Sequence, residues 1–167
     1  MDGDAPVGGE WNFDSENRSS FGKEGPPPIH RHCVSSPIAF TQEVIQLVES
    51  RFASHPGSVA ASTSGFGWPV DRHDALRVLA DFIQNRLPKF GLYQDAMWTN
   101  EPWLFHSHIA SALNLKLLSA QEVVAAAEQS YRQGRAPIAA VEGFVRQILG
   151  LARICSRYLL DEYAKVP

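Results

Sequence analysis

Residues 92–118 read LYQDAMWTNEPWLFHSHIASALNLKLL, and the interpretation of the whole chain starts from this stretch. Pro102 suits the first turn of a helix, where its missing N–H is not needed, so we predict a helix from Pro102 to about Leu115. The polar run His106-Ser107-His108 lies inside this otherwise apolar helix. Polar side chains in such a place need a hydrogen-bond partner or a ligand, which makes this stretch the first candidate for a functional site.

Outside this stretch the chain shows the apolar periodicity of a helical protein. Apolar residues recur at helical spacing in further segments that are separated by turn and capping signals. The predicted helices are Thr41–Phe52, Asp71–Leu87, Ala120–Gln133 and one that starts at Pro137. Pro88 and Gly91 are expected to close the second of these, and a Ser119/Glu122 capping box precedes the third. No segment alternates in the manner of a strand, so the predicted fold class is all-α, an irregular helical bundle.

The composition is that of a globular domain with no marked charge. The chain has 167 residues, 44% of them apolar and 20% charged, and a formal net charge of -3. This charge gives no basic signal for nucleic acid over the whole chain. No apolar run is long enough to span a membrane, and the acidic start is not a signal peptide. Cys33 and Cys155 match no metal or disulfide framework, so we predict a reducing compartment, the cytoplasm.

Residues 1–37 are predicted to be extended. Glycines and prolines in this segment, including Pro26-Pro27-Pro28, disfavour both helix and strand. Trp11 and Phe13 lie in a polar tract, and because free disordered segments rarely carry such aromatics we expect them to dock on another part of the protein. An ordinary N-terminal tail and an interdomain linker both fit this segment.

Two histidine groups invite a metal interpretation, and both are explained more simply without a metal. The ligands in His30-Arg31-His32-Cys33 are too close together to surround one ion, and no second cluster follows. His106 and His108 are two residues apart on the predicted helix, so they point in different directions and cannot serve one ion. The sequence shows no glycine-rich phosphate loop, paired carboxylates or nucleophile with its base, so no catalytic residue is predicted.

Four stretches, in this order and spacing, resemble a known family. They are GGEWNFD (residues 8–14) with Asn17-Arg18, RLPKFGLYQDAM (residues 86–97), His106-Ser107 followed by ALNL (residues 112–115), and VEGFVRQILG (residues 141–150). Together they resemble the iron–sulfur bacterial cryptochrome and photolyase family, also described as deoxyribodipyrimidine photolyase-related proteins. The resemblance covers residues 1–150.

The resemblance implies a flavoprotein. The family binds FAD in an all-helical C-terminal domain, of which residues 38–150 would be the first part and residues 1–37 the linker. Its members use photoreduced flavin to repair ultraviolet lesions in DNA, mainly the (6-4) photoproduct, or to sense light. The family's antenna domain would precede residue 1 and the four cysteines of its 4Fe-4S cluster would follow residue 150, so Cys33 and Cys155 match none of them. We therefore expect this chain alone to be inactive, with FAD as the implied cofactor and damaged DNA as a partner of the full-length family.

The same resemblance suggests which residues contact the cofactor. Tyr93 and the segment from His106 to Ala110 match the part of the fold that holds the FAD phosphates and ribityl chain. Hydroxyls and backbone N–H groups near a helix start suit a pyrophosphate, so Ser107 is the first predicted phosphate ligand and Tyr93 the second. The predicted cofactor-binding residues are Tyr93, His106, Ser107, His108, Ile109, Ala110, Arg146 and Gln147.

Some of these positions depart from the family or have a second explanation. The family usually has a serine at position 110 and a glycine at position 116, where this chain has Ala110-Ser111 and Lys116. Because Ser111 is rotated by about one helical position from Ala110, it does not match the family's serine at position 110. Arg146 and Gln147 lie on the helix that lines the flavin pocket, and structural packing is the alternative role for both.

The last segment departs from the family completely. After Gly150 the family continues Trp-Arg-Glu-Tyr-Val-Arg-Gly-Ile-Tyr-Trp, whereas this chain continues LARICSRYLL. The tail can be back-translated into codons that the genetic code permits for these residues. When those codons are read one nucleotide out of frame, they encode the residues of the family. We therefore predict that residues 151–167 are a frameshifted tail and that the gene is a fragment or pseudogene, with true divergence as the alternative. Two functions fit: a remnant of a photolyase or cryptochrome, or a small helical interaction or scaffold protein that has lost cofactor binding.

Overall fold

A computed structural model describes residues 6, 9, 10, 12–30, 33, 35, 38–57, 59 and 66–163. Helices and loops make up the described residues, which contain no strand, and the all-α prediction is confirmed. The helices are α1 (Ala39–Arg51), α2 (Arg72–Asn85), α3 (Leu87–Tyr93), α4 (Ala110–Asn114), α5 (Ala120–Arg132) and α6 (Ile138–Tyr163), and a short 3-10 helix spans Asp14–Glu16.

Side-chain caps begin α2 and α5 where the sequence predicts them. The Asp71 carboxylate accepts the Asp74 N–H at 2.8 Å. Ser119 and Glu122 form a complete capping box, in which each side chain accepts the other residue's backbone N–H. These bonds satisfy N–H groups that have no partner within the helix.

The predicted end of the second helix is wrong. Pro88 and Gly91 do not close it: the backbone bends at Arg86, Pro88 lies in the first turn of α3, and Gly91 lies inside α3. A proline fits a first turn because no helical hydrogen bond needs its N–H. Gly91 is required because a β-carbon there would lie 2.8 Å from the Ala140 Cα of α6. The glycine therefore permits two helices to approach closely, and does not end one.

The predicted helix from Pro102 to Leu115 is also mostly wrong. Only residues 110–114 are helical, and residues 101–109 form a loop. Leu104 and His108 have φ values of 42° and 57°, which are left-handed conformations that interrupt a right-handed helix. Tertiary contacts of the loop, described below, hold these residues in place.

The core lies where α2, α3, α5 and α6 meet. Phe82, Phe90 and Phe144 pack at its centre, with ring centroids 4.8–5.6 Å apart. Two of the three pairs are edge-to-face, an arrangement that aromatic quadrupoles favour. Val123 and Ala127 of α5 complete this core and are fully buried.

The segment around Asp14 docks on the α3–α6 pair through polar contacts. The Phe13 N–H donates to the Glu142 carboxylate at 2.7 Å. The Asn17 side chain donates to the Ala139 carbonyl at 2.9 Å, and the Ser19 N–H donates to the Leu92 carbonyl at 2.7 Å. Phe13 is half-buried, as the docking prediction requires, whereas Trp11 lies outside the described residues.

Helix α1 contributes little to the core, and α6 extends well beyond it in sequence. In α1 only Thr41 is buried, and Phe40 is 70% exposed. The α6 backbone continues to Tyr163 without a break at residue 150. Among the described residues, no helix has both the length and the apolar character needed to cross a membrane.

Candidate functional site

Tyr93, at the end of α3, lies between two other aromatic rings. Its ring stacks on Phe105 with a centroid distance of 5.2 Å, and the Phe21 ring lies 4.6 Å away on a tilt. Tyr93 is half-buried, while Phe105 is almost fully buried. The stack fixes the tyrosine against the start of the 106–109 segment, so two of the predicted cofactor-binding elements are neighbours in space.

The loop that carries His106 and Ser107 is closed on itself. The His108 Nε2 atom lies 2.9 Å from the Trp103 carbonyl oxygen, and the Trp103 and His108 rings meet edge to face at 5.0 Å. Leu104 and His108 both have positive φ values. Non-glycine residues in this conformation persist only where the surroundings hold them, and they cluster at functional sites.

A buried ion pair supports this loop from behind. Arg86 is fully buried; its Nε donates to the His106 carbonyl at 3.1 Å and its Nη1 to Asp81 at 2.6 Å. Burial alone would raise the pKa of Asp81, but the Cys33 N–H, the Asn85 amide and the Arg86 guanidinium outweigh it and lower that pKa. Asp81 is therefore an anion at neutral pH, and its carboxylate lies 2.6 Å from the Arg86 Nη1.

His106 is held in a neutral state. Burial lowers the pKa of His106, and the negative charge of Asp95 opposes that shift only in part. The His106 and His108 rings are nearly perpendicular, with centroids 6.1 Å apart. The prediction placed both on a helix, and this is wrong because they belong to the loop. A neutral His106 can donate or accept a hydrogen bond but adds no positive charge for a phosphate.

The remaining residues of the segment differ in what they can offer a ligand. Ser107 is half-buried. Ile109 is buried in the core and can contribute only backbone groups, whereas Ala110 is exposed. The Ser111 hydroxyl is buried and has no hydrogen-bond partner among the described residues.

Arg146 and Gln147 form a second group, on α6. The Arg146 guanidinium donates twice to Glu142, at 2.8 Å and 2.6 Å. The Gln147 amide donates to the Gln94 side chain at 3.2 Å. Gln147 is thereby linked to the residue that follows Tyr93, while the Arg146 charge is occupied by Glu142. The cofactor-binding role and the packing role both stay predictions for these two residues.

Sequence reasoning missed a polar network beneath this group. Asp14 is buried and accepts from Asn17 at 2.8 Å and Arg18 at 2.6 Å, with Gln94 at 3.4 Å. Burial raises the pKa of Asp14, but the hydrogen bonds from Asn17 and Arg18, the Arg18 charge and the Gln94 bond lower it overall. A β-carbon at Gly143 would lie 2.9–3.1 Å from three polar atoms of this network. The network therefore fills a notch, which is the space that side chains at Gly91 and Gly143 would occupy. Both glycines belong to stretches that carry the family resemblance.

Comparison with known proteins agrees with that resemblance. The family described as deoxyribodipyrimidine photo-lyase-related protein matches residues 1–63. A "(6-4) photolyase" of Agrobacterium fabrum (strain C58 / ATCC 33970) is 45% identical over 150 residues, which is 90% of this chain. The chain is photolyase-related. The predicted resemblance is confirmed at this level, and the chain spans 28% of the length of that relative.

Proposed function

We propose that this chain is the part of a photolyase-type flavoprotein that binds the phosphates and ribityl chain of FAD, and that it does not repair DNA by itself. The observation that carries this proposal is the 45% identity to a (6-4) photolyase over 150 residues, which include both elements of the candidate site. Repair of the (6-4) lesion, light sensing and contact with damaged DNA would belong to the longer protein. The frameshifted origin of residues 151–167 is part of the same proposal.

The donors around Tyr93 and Ser107 suit a pyrophosphate. Two hydroxyls and the exposed backbone near Ala110 offer neutral hydrogen-bond donors of the kind that hold phosphates in loop sites. Asp95 is an unfavourable charge close enough to act on His106, and the Arg18 guanidinium lies 3.1 Å from it. That ion pair reduces the repulsion that Asp95 would exert on a bound phosphate. The residues present therefore fit the phosphate portion of FAD.

The roles of the individual residues follow from these positions. Bound FAD would supply the redox and light-absorbing chemistry, which no amino-acid side chain provides. Ser107 would donate its hydroxyl to a phosphate oxygen, and Tyr93 would donate its phenol from the fixed aromatic stack. His106, being neutral, would orient the loop and could donate one ring N–H. Gln147 would keep α6 against the end of α3 through Gln94, and Arg146 would hold Glu142, which accepts the Phe13 N–H.

Titration with four ligands tests this proposal. The full chain is mixed with FAD, FMN, riboflavin or ADP, and binding is followed by flavin fluorescence quenching or by calorimetry. We expect FAD and ADP to bind and riboflavin to bind much more weakly, because riboflavin lacks the phosphates. Preference for riboflavin, or no binding of any of the four, would refute a phosphate site in this chain.

Single substitutions locate the site. Ser107→Ala and Tyr93→Phe each remove one hydroxyl and should each weaken FAD binding about fivefold to tenfold, the worth of one hydrogen bond of about 1–1.5 kcal/mol. Ser50→Ala on α1 is the matched control, because the Ser50 hydroxyl bonds only the Leu47 carbonyl of its own helix. Equal affinity in Ser107→Ala and Ser50→Ala would exclude Ser107 as a ligand.

One observation favours the alternative function, a helical interaction or scaffold protein without cofactor. On α1, Phe40, Val44 and Leu47 follow helical spacing and are 41–70% exposed. Contiguous exposed apolar residues mark contact surfaces in many proteins. A chain that binds no flavin but remains folded, and whose association state changes on Phe40→Ser, would favour this second function.

A further inference from the structure

We propose that Arg86 is a positioning residue for the candidate flavin site: it fixes the segment from His106 to Ile109 through the His106 carbonyl, and Asp81 orients it. This inference rests on the proposed function for the identity of the ligand, whereas the contacts of Arg86 do not depend on that function. Arg86 is not predicted to touch FAD.

The burial of Arg86 is the first argument. Its side chain is fully buried at the junction of α2 and α3. Arginine is almost never fully buried without a partner, and burying a charged pair costs desolvation that its own attraction only partly returns. A packed apolar residue could fill this space, so the charged pair has a geometric role that an apolar side chain would not perform.

The direction of the guanidinium is the second argument. Nη1 is fixed by Asp81 at 2.6 Å, and the planar fork then aims Nε at the His106 carbonyl, 3.1 Å away. The Phe82 ring centroid lies 5.8 Å from the Arg86 Cζ and limits its movement on another side. The carbonyl that Arg86 holds immediately precedes Ser107, the first predicted phosphate ligand.

Asp81 is itself held from several directions. Besides Arg86 it accepts the Cys33 N–H at 3.1 Å and the Asn85 amide at 2.8 Å, and the His30 ring lies 3.3 Å away. One carboxylate therefore anchors both the segment at Cys33 and, through Arg86, the loop at His106. The buried Arg86 Nη2 atom has no hydrogen-bond partner in the part of the chain that the structure describes, so the orientation of the guanidinium depends on the other two nitrogens.

Substitution of Arg86 by lysine separates positioning from charge. Arg86→Lys keeps a cation beside Asp81 but removes the second, rigidly placed nitrogen that reaches the His106 carbonyl. Arg77→Lys is the matched control: Arg77 lies on α2 and donates to Asp74 at 2.8 Å and to the Cys33 Sγ at 3.2 Å, and none of its hydrogen bonds to described residues reaches the loop. Asp81→Asn is a second variant that frees Arg86 without changing it, and it tests the same idea if Arg86→Lys does not fold.

Two measurements are made on the full chain. NMR titration of the His106 ring reports loop position without any ligand: release of the loop should expose the ring and raise its pKa toward the ordinary value of about 6.5. FAD affinity, by fluorescence quenching, should fall about tenfold in Arg86→Lys, the size expected when one ordered contact behind a site is lost. Arg77→Lys should change neither quantity.

The possible outcomes decide between the two proposals. If the His106 titration and FAD affinity are unchanged in both Arg86→Lys and Asp81→Asn, Arg86 has no positioning role. If the His106 titration moves but the unmodified chain binds no FAD, the proposed function fails while the positioning of the loop stands. Val123→Ala, a core substitution on α5, serves as a stability control: if it weakens FAD binding as much as Arg86→Lys at equal loss of stability, the effect is general and positioning is refuted.

Discussion

Gly143→Ala is predicted to destabilise the protein, although the same change in an ordinary helix stabilises it. Alanine in a helix interior is favoured over glycine by about 1 kcal/mol. In α6, however, the new methyl group would lie 2.9 Å from the Asn17 Nδ2, 3.0 Å from an Asp14 carboxylate oxygen and 3.1 Å from the Gln94 Oε1. The Asn17 Nδ2 donates to this Asp14 oxygen and the Gln94 Oε1 accepts from Gln147, so these atoms cannot move away without losing hydrogen bonds.

The size of the effect follows from the bonds at risk. Asn17 donates to Asp14 at 2.8 Å and to the Ala139 carbonyl at 2.9 Å. A hydrogen bond to a charged group contributes about 1.5–3 kcal/mol, and overpacking a filled site costs about 1–3 kcal/mol. Loss of one such bond with modest strain outweighs the helix-propensity gain. The expected net decrease in the free energy of unfolding is about 2 kcal/mol.

Urea unfolding followed by circular dichroism at 222 nm measures this difference. Gly150→Ala is the control on the same helix, because a β-carbon there has nothing within 4 Å, and it should stabilise the chain by about 1 kcal/mol. Asn17→Ala combined with Gly143→Ala should cost less than the sum of the two single changes, since the clash is removed with Asn17. If Gly143→Ala and Gly150→Ala stabilise equally, the polar network does not occupy the notch and the reasoning is wrong.

Three further predictions concern acid stability, a helix terminus and the gene. The pKa of Asp14 is lowered in the folded state, so its carboxylate contributes fully to the free energy of unfolding above the unfolded pKa of about 3.9. This contribution is lost as the pH falls through the folded pKa. The urea midpoint should therefore fall less steeply between about pH 5 and about pH 2 in Asp14→Asn than in the unmodified chain. Parallel curves would contradict this. Lys116 has a φ of 60° and its N–H donates to the Leu113 carbonyl at 3.1 Å, so it forms a left-handed C-terminal cap of α4. Glycine adopts this conformation without strain, so Lys116→Gly should raise the free energy of unfolding by about 1 kcal/mol. A loss of stability would refute the cap. Sequencing the DNA around codon 150 should show codons that encode the family sequence one nucleotide out of frame, and incompatible codons would exclude the frameshift.

Local signals were sufficient where a helix depends on its own residues. The capping box at Ser119 and the cap at Asp71 lie within a few residues of the bonds they make, so pattern reasoning located the starts of α2 and α5. The sequence also showed that Lys116 replaces a glycine of the family, and the backbone at this position is left-handed. Tyr93 and the 106–109 segment are neighbours through Phe105, and the Arg146 guanidinium is paired with Glu142, while the cofactor-binding roles of these residues stay predictions.

The sequence by itself determined that this protein is helical, where most helices begin, and that it is photolyase-related, because periodicity, caps and motifs are local properties. Only the tertiary structure decided that residues 101–109 are a loop. Arg86 reaches that loop across 20 residues of chain, and Phe13 reaches Glu142 across 129 residues. Such long-range hydrogen bonds override helix propensity because an unpaired buried donor or charge costs more than the propensity of a few residues gains.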